Sequence, residues 1–242
     1  MNSTLKNKVN MPTISIIIPV LNEAEHISKL LAYLLNNAKS PENLEIFVVD
    51  GGSTDATVSI IKDLNLNQVN LLHAAKGRAK QMNFGAKHAN GSILYFLHAD
   101  SYPPKHFDYF ILNEVENGNE AGCFKMQFNS DHWWLKLASW FTQFNLMACR
   151  GGDQSQFITK SLFNAIGGYN EAFIIYEDYI LIKTLYRINT FVVIQKNLKT
   201  SARLYETQGV FKLQRIFLTI YLKRWLGASP ETLHRYYKKA LA

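Results

Sequence analysis

Four groups of polar side chains stand out in this chain by type and spacing, and each suits chemistry on an anionic, hydroxyl-rich ligand. Lys76, Arg78 and Lys80 crowd the start of a small-residue helical stretch. Cations there oppose the helix macrodipole, so the arrangement makes better sense with an anion docked on it. Gly77 lets backbone approach such a ligand; on these three residues alone a solvated basic turn is the plainer alternative. Asp50 follows a β-branched run and opens Asp50-Gly51-Gly52-Ser53-Thr54-Asp55. One of Ser53, Thr54 and Asp55 is needed to cap the next helix, which leaves Asp50 as an acceptor for ribose hydroxyls or a base N–H. Asp100, ending His98-Ala99-Asp100, suits a hard divalent cation, Mg2+ or Mn2+, beside a diphosphate. Glu177-Asp178, flanked by Tyr176 and Tyr179, either decorates a first helical turn or supplies a general base toward an acceptor hydroxyl.

The elements that must position these groups follow from hydrophobic period. Ile14 to Ile18, ended by Pro19, reads as a buried parallel strand. Asn22, with Glu25 three residues on, reads as the cap of a helix that repeats Ile27, Leu30, Leu31, Leu34 and Leu35 on one face. Ile46–Val49, a helix with Val58, Ile61 and Leu64, a short strand Val69–Leu72, a helix from Gly77 to Ala89 and a strand Ile93–Leu97 complete a βαβαβαβ order. That order implies a parallel sheet with helices on both faces. Ligands of such sheets sit beyond the carboxyl ends of the strands, and Asn22-Glu23, Asp50–Asp55 and His98–Asp100 all fall there. Downstream, a helix runs from Pro103-Pro104 to Glu116, a strand from Cys123 to Phe128 and an aromatic helix from His132 to Met147. Late strands are expected at Phe191–Ile194 and Lys199–Leu204, and a helical tail from Val210. Trp133, Leu137, Trp140, Phe141 and Phe144 recur at helical spacing, which reads as core packing; Trp134 lies off that stripe and suits an acceptor groove.

Length and composition set bounds. The chain has 242 residues, 48% hydrophobic and 19% charged, enough for a sizeable core without disorder. No apolar run reaches the ~18–20 residues of a membrane span, and Met1–Met11 reads as a short polar leader without the apolar stretch of a secretory signal. Cys123 and Cys149 read as reduced thiols, with no CxxC to suggest zinc. The net charge is +7, but residues from Ala202 onward carry eight Lys/Arg against two Asp/Glu, a surplus of six. So lopsided a distribution excludes a generally basic nucleic-acid surface.

Taken as a set, these segments resemble family 2 glycosyltransferases. The resemblance rests on Ile16-Ile17-Ile18-Pro19-Val20-Leu21-Asn22-Glu23, Val48-Val49-Asp50-Gly51-Gly52-Ser53-Thr54-Asp55, Lys76-Gly77-Arg78-Ala79 with Asn83 and Gly85, and Leu97-His98-Ala99-Asp100. It continues through Gly151-Gly152-Asp153-Gln154, Ile166-Gly167-Gly168-Tyr169 and Glu177-Asp178, covering Ile14 to about Leu185. Within the family the chain is similar to the short members with a His-Ala-Asp triplet, sometimes called selenodomain-associated transferases. The resemblance implies a GT-A (nucleotide-diphospho-sugar transferase) α/β fold with a mostly parallel central sheet, helices on both faces and a helical C-terminal tail. It would form one domain over residues 1–242: a nucleotide-sugar half (about 13–102), an acceptor half (about 103–205) and a basic amphipathic tail (about 206–242).

By the same resemblance, Pro19, Glu23, Asp50, Arg78 and His98 lie on the donor side, Asp100 holds the metal that bridges the diphosphate, and Asp178 is the base of an inverting displacement. Trp134, Gly152, Asp153, Gln154 and Glu177 lie on the acceptor side. Two positions depart from the family's pattern: Gly51 replaces the second Asp of Asp-Asp-Gly-Ser, and His98 replaces the first Asp of Asp-x-Asp. Both weaken the ribose and metal assignments. Related enzymes often supply a late His as a metal ligand; here that region offers Arg203, which cannot ligate a cation but can pair bidentately with phosphate.

The implied partners are a nucleotide-diphosphate sugar and an unidentified acceptor, with a lipid-linked one compatible with the tail. There Leu213, Ile216, Phe217, Ile220 and Tyr221 form an apolar stripe beside Lys212, Arg215, Lys223 and Arg224. Packing of that stripe on the domain is the favoured expectation; docking on an anionic membrane is the other. The location implied is cytoplasmic, with the tail allowing peripheral contact with the inner membrane face. A sugar-phosphate nucleotidylyltransferase is a rival, but it calls for a Gly-rich basic loop after the first strand, where this chain has Pro19–Glu23. A non-catalytic nucleotide-sugar-binding protein is the second rival, made possible by Gly51 and His98.

Overall fold

The computed structural model describes residues 14–151, 154–188 and 190–241. The chain enters on β1 (Ile14–Val20), α1 (Ile27–Asn37), β2 (Leu44–Asp50), α2 (Thr57–Leu64), β3 (Val69–His73), α3 (Arg78–His88) and β4 (Ile93–Phe96). It continues through β5 (Ser101–Tyr102), α4 (Phe107–Glu116), β6 (Ala121–Phe128), α5 (Trp133–Phe141), β7 (Gln156–Thr159), α6 (Lys160–Ala165) and α7 (Glu177–Arg187). β8 (Phe191–Thr200), α8 (Arg203–Gln208), α9 (Val210–Trp225) and α10 (Pro230–Leu241) complete it. The strands form one sheet in the order β3-β2-β1-β4-β7-β6-β8-β5. The pairings β1–β2, β1–β4, β2–β3 and β6–β8 are parallel, and β7 and β5 join antiparallel.

β1 is apolar at nearly every position because both faces of the sheet are covered. Ile14, Ile16 and Ile18 point into the core under α1, with Ile27, Leu30, Leu31 and Leu34. Ile17 points the other way, into a core with Ala79, Met82 and Ala86 of α3 and Leu181, Ile182 and Leu185 of α7. A third core gathers Met126 and Phe128 at the far end of β6, Leu135 of α5, and Leu213, Ile216 and Ile220 of α9. The tail stripe therefore packs on the domain as favoured. Among the described residues no helix is long and apolar enough to cross a membrane.

Several expectations change. β1 runs through Pro19 to Val20. Ile17 O accepts from Leu97 N, so Pro19, two residues on, turns its missing N–H to the same side, beyond the end of β4, where no ladder bond is owed. Asn22 does not cap α1; it sits at φ 57° and ties β1's exit to the next loop, its Oδ1 accepting from Thr54 N at 2.8 Å. The two late strands are one, β8, and Arg203 starts a helix instead of lying in a strand. α5 ends at Phe141, and the stripe assigned to the core faces solvent: Trp133 is 61% and Trp140 55% exposed, while Leu135 is the buried residue of that helix. A periodic stripe identifies one apolar face but not what covers it.

Candidate active site

The carboxyl ends of β1, β2 and β4 bring most of the expected residues to one edge of the sheet. After β2, Asp50 turns back on its own loop: Oδ2 accepts from Gly52 N (3.1 Å) and Oδ1 from Ser53 N (3.0 Å), with His73 Nδ1 3.3 Å from Oδ2. Asp50 is only 3% exposed. Burial works against its charge, but the bonds from Ser53, Gly52 and His73 outweigh it and hold its pKa below the ordinary value. Asp55 Oδ1 accepts from Thr57 N at 3.0 Å and so secures the start of α2, while Glu23 N donates to Thr57 Oγ1 at 2.8 Å. The loops after β1 and β2 are thus one hydrogen-bonded unit.

Beneath that unit lies Gln81 of α3, which sequence reasoning did not single out. Its Nε2 donates to Val20 O (2.9 Å) and Val49 O (2.7 Å), pinning together the last turns of the two strands that present Glu23 and Asp50. A Cβ on residue 51 would lie 2.9 Å from the Gln81 amide. Gly51 is therefore the residue that makes room for Gln81. No periodicity signals a buried amide of this kind, so only coordinates reveal it.

From Glu23 the contacts pass to Arg203. Its Nη2 donates to Glu23 Oε1 at 2.7 Å, and its Nε lies 3.5 Å from Asp100 Oδ2. Burial pulls the guanidinium down, but Glu23 and Asp100 raise it above its ordinary value. Two residues before Asp100, His98 Nδ1 is 3.3 Å from Arg78 Nη1. Arg78 Nε donates to Glu177 Oε1 at 2.8 Å, and Nη2 is 3.6 Å from Asp178 Oδ2. An unbroken series of contacts and short chain segments therefore links Asp50, Glu23, Arg203, Asp100, His98, Arg78 and Asp178.

Glu177 is not on an acceptor surface. It is fully buried, at 0% exposed, because Tyr176 at φ 75° turns the chain into α7 and sends Glu177 inward toward Arg78. Its Oε2 has no partner among the described residues. Asp178 lies at the edge of a small cavity of about 10 Å³, room for a single water, lined also by Pro19, His98, Gln156 and Tyr169. A sugar does not fit in that space. The Tyr169 hydroxyl is pushed well above its ordinary pKa by burial and then by Asp178 and Glu177, so it stays a neutral phenol beside them.

Gln154 is buried, with Oε1 accepting from Gly151 N at 3.1 Å and Nε2 without a described partner. Trp134 is partly buried against Phe211, its ring centroid 6.3 Å away, and so stands under α9 instead of lining an open groove. Gly152 and Asp153 lie outside the described residues, as does the expected Met1–Met11 leader. Both cysteines are free thiols.

A divalent cation at the end of β4 would need several oxygen ligands around Asp100. Among the described residues no three His, Cys, Asp or Glu side chains converge on a point. Asp100 is the carboxylate at the end of β4, and the guanidinium of Arg203 already faces it. His98 faces Arg78. With the Arg203 guanidinium against Asp100 and the Arg78 guanidinium against His98, this donor set fits a divalent cation poorly.

Comparison with known proteins identifies the family and the fold. The model of "Glycosyl transferase family 2" matches residues 15–180. A Methanococcus voltae protein named dolichyl N-acetyl-alpha-D-glucosaminyl phosphate 3-beta-D-2,3-diacetamido-2,3-dideoxy-beta-D-glucuronosyltransferase is 39% identical over 111 residues, 44% of this chain and 34% of that protein. An uncharacterized glycosyltransferase of Haemophilus influenzae is 31% identical over 126 residues, 48% of this chain and 50% of that one. The matches thus span about a third to a half of these curated relatives. Among solved structures, the mannosyltransferase PcManGT of Pyrobaculum calidifontis, in complex with GDP-Man and Mn2+, has a TM-score of 0.67 at 17% identity, covering 96% of this chain and 70% of that chain. S. aureus TarS 1-349 in complex with UDP has a TM-score of 0.65 at 20% identity, covering 83% of this chain and 64% of that chain. These likenesses establish the GT-A fold. Because the family model matches residues 15–180, well over half of the chain, running from β1 into α7 and taking in Glu23, Asp50, Arg78, His98, Asp100 and Asp178 with Arg203 beyond it, this chain belongs to glycosyl transferase family 2.

Proposed function

We propose that the protein transfers a sugar from a nucleotide-diphosphate sugar to an acceptor hydroxyl with inversion, Asp178 serving as general base. One observation carries this reading: Arg78 stands between the carboxylate of Asp178 and the end of β4, so a phosphate-pairing group and a proton acceptor share one cleft. The joined loops after β1 and β2, with Glu23 and Asp50, take the nucleoside end. Arg78 and Arg203 face the diphosphate, and their fixed positive charge stabilises the departing nucleotide without reorganisation. Asp178 removes the proton of the acceptor hydroxyl as that oxygen attacks the anomeric carbon from the side opposite the leaving phosphate; the C–O bond to the phosphate breaks as the new one forms.

Neighbours in the fold are seen with UDP, UDP-GlcNAc and GDP-Man, which makes uridine and guanosine diphosphate sugars the first donors to try. The dolichyl phosphate in the name of the Methanococcus voltae relative favours a lipid-linked acceptor. Mg2+ or Mn2+ at Asp100, expected from the sequence, gives way in this proposal to Arg203. The test is turnover of a panel of nucleotide sugars by wild type and Asp178→Asn. The expected result is donor binding by both and a loss of about 10²–10⁴-fold in turnover for the variant. Equal turnover by the two proteins removes Asp178 from the mechanism, and binding without turnover of any donor by wild type favours a non-catalytic protein.

A further inference from the structure

The outer faces of α5 and α9 form a surface with an unusual combination of groups. On α5, Trp133, Trp140 and Phe141 are exposed at 61%, 55% and 45%. On α9 the inward face is already satisfied by Leu213, Ile216 and Ile220, yet the outward face carries Phe211, Leu218 and Trp225, exposed at 60%, 70% and 81%. The two helices meet at Phe211, whose ring lies 6.4 Å from Trp133 and 5.9 Å from His132. The apolar groups are therefore joined across the helices, not scattered singly. Soluble monomers rarely leave such joined patches uncovered.

Charge decides what covers it. Neither α5 nor α9 contains a carboxylate; α5 carries Lys136 and α9 carries exposed Lys212 and Arg215, while Lys223 packs over Tyr236 of α10 and Arg224 over the buried Phe173. Lys136 is paired with Asp131 just before α5. A second copy seated face to face would bring the α9 cations against their own counterparts, which like-charge repulsion opposes. Indole and phenyl rings interleaved with Lys and Arg match the boundary between acyl chains and anionic headgroups, where rings enter and cations stay at phosphate level.

We propose that α5 and α9 together dock this protein on an anionic lipid bilayer, with the Trp133–Phe211 junction at the centre of the contact. The surface lies over the third core, which also contains Ala202, Tyr176 and Ile180, neighbours in sequence of Arg203 and Asp178. Docking there holds the catalytic edge close to the membrane plane. This deepens the lipid-linked acceptor of the proposed function and rests on that reading only for the use made of the surface.

The test is co-sedimentation of the full chain with vesicles of phosphatidylcholine alone and with added phosphatidylglycerol, at low and high salt. Wild type is expected to partition onto the anionic vesicles, to prefer them at least about tenfold over neutral ones, and to come off at high salt as screening removes the headgroup attraction. W133S/W225S alters only exposed positions and is expected to lower partitioning at least about tenfold with an unchanged melting temperature. Quenching of wild-type tryptophan fluorescence by brominated lipid is expected as well, and needs no variant. Wild type that ignores anionic vesicles, or binds them without tryptophan quenching, overturns the proposal. So does a wild-type dimer that W133S/W225S converts to monomer without any vesicle binding, since a second copy then covers the face. Turnover of a nucleotide sugar in vesicle-free solution is measured in parallel, so failure of docking and failure of the glycosyltransferase reading are told apart.

Discussion

Arg78→Met isolates the pairing on which the site is built. Glu177 is fully buried and Arg78 Nε is its described hydrogen-bond partner, at 2.8 Å, so the substitution leaves a carboxylate in the interior without its counter-charge. Breaking a buried pair from one side typically costs about 3–5 kcal/mol. The Arg78 side chain is 40% exposed, so solvent already screens part of the interaction, and about 2–3 kcal/mol is the expected loss here. For a chain of this length that lowers the melting temperature by roughly 5–10 °C. In the double variant Arg78→Met/Glu177→Leu no charge is left buried, and most of the stability is expected to return, but donor turnover is not, because the guanidinium proposed to face the phosphate is gone. Thermal melts at pH 7, with turnover on the same samples, read both. A double variant as unstable as the single one would falsify the claim that Arg78 neutralises a buried carboxylate; full turnover by the double variant would remove Arg78 from donor binding.

Three further outcomes follow from the geometry. Asp50 has a depressed pKa, so its contribution is fully present above about pH 4 and is lost as pH falls through the folded value; Asp50→Asn is expected to melt lower at pH 7 by the equivalent of about 1–3 kcal/mol and to converge on wild type in acid. Gly51→Ala places a methyl group 2.9 Å from the Gln81 amide and is expected to cost about 1–3 kcal/mol by chemical denaturation; adding Gln81→Ala relieves the clash but removes the amide donor from Val49 O and from Val20 O, which keeps only the backbone N–H of residue 51, so the double variant does not regain wild-type stability. If Arg203 stands in for a cation, turnover survives a chelator and falls at least about tenfold in Arg203→Ala, whereas turnover abolished by chelator and restored by Mn2+ reinstates the metal.

The parallel half of the fold was legible because its signals are local. A continuous β-branched run such as Ile14–Ile18 has few alternatives, and the polar clusters at strand ends mark the ligand edge by topology alone. Legibility failed where the outcome depends on partners distant in sequence. Glu177 and Asp178 are adjacent, yet the turn at Tyr176 buries one against Arg78 and leaves the other at the cleft. Nothing in the spacing of Val20, Val49 and Gln81 shows that one amide clamps two strands. Trp133 and Trp140 carry the same helical period as a core stripe, but the third core is filled by Leu135 and the inward face of α9, and the larger rings are left outside. The sequence pairing of Arg203 with phosphate was reasonable chemistry; that Glu23 and Asp100 hold it in place depends on β1 and β4 being neighbours in the sheet.

In the proposed mechanism a leaving diphosphate is held between two arginines with a carboxylate waiting across the anomeric carbon. A crystal structure of the chain with a non-hydrolysable nucleotide-sugar analogue tests it most directly. Phosphate oxygens are expected within hydrogen-bonding distance of Arg78 and Arg203, the base over the Asp50 loop, and Asp178 on the face of the sugar opposite the phosphate. A diphosphate bound away from both arginines, or Asp178 on the same side as the leaving group, would contradict it.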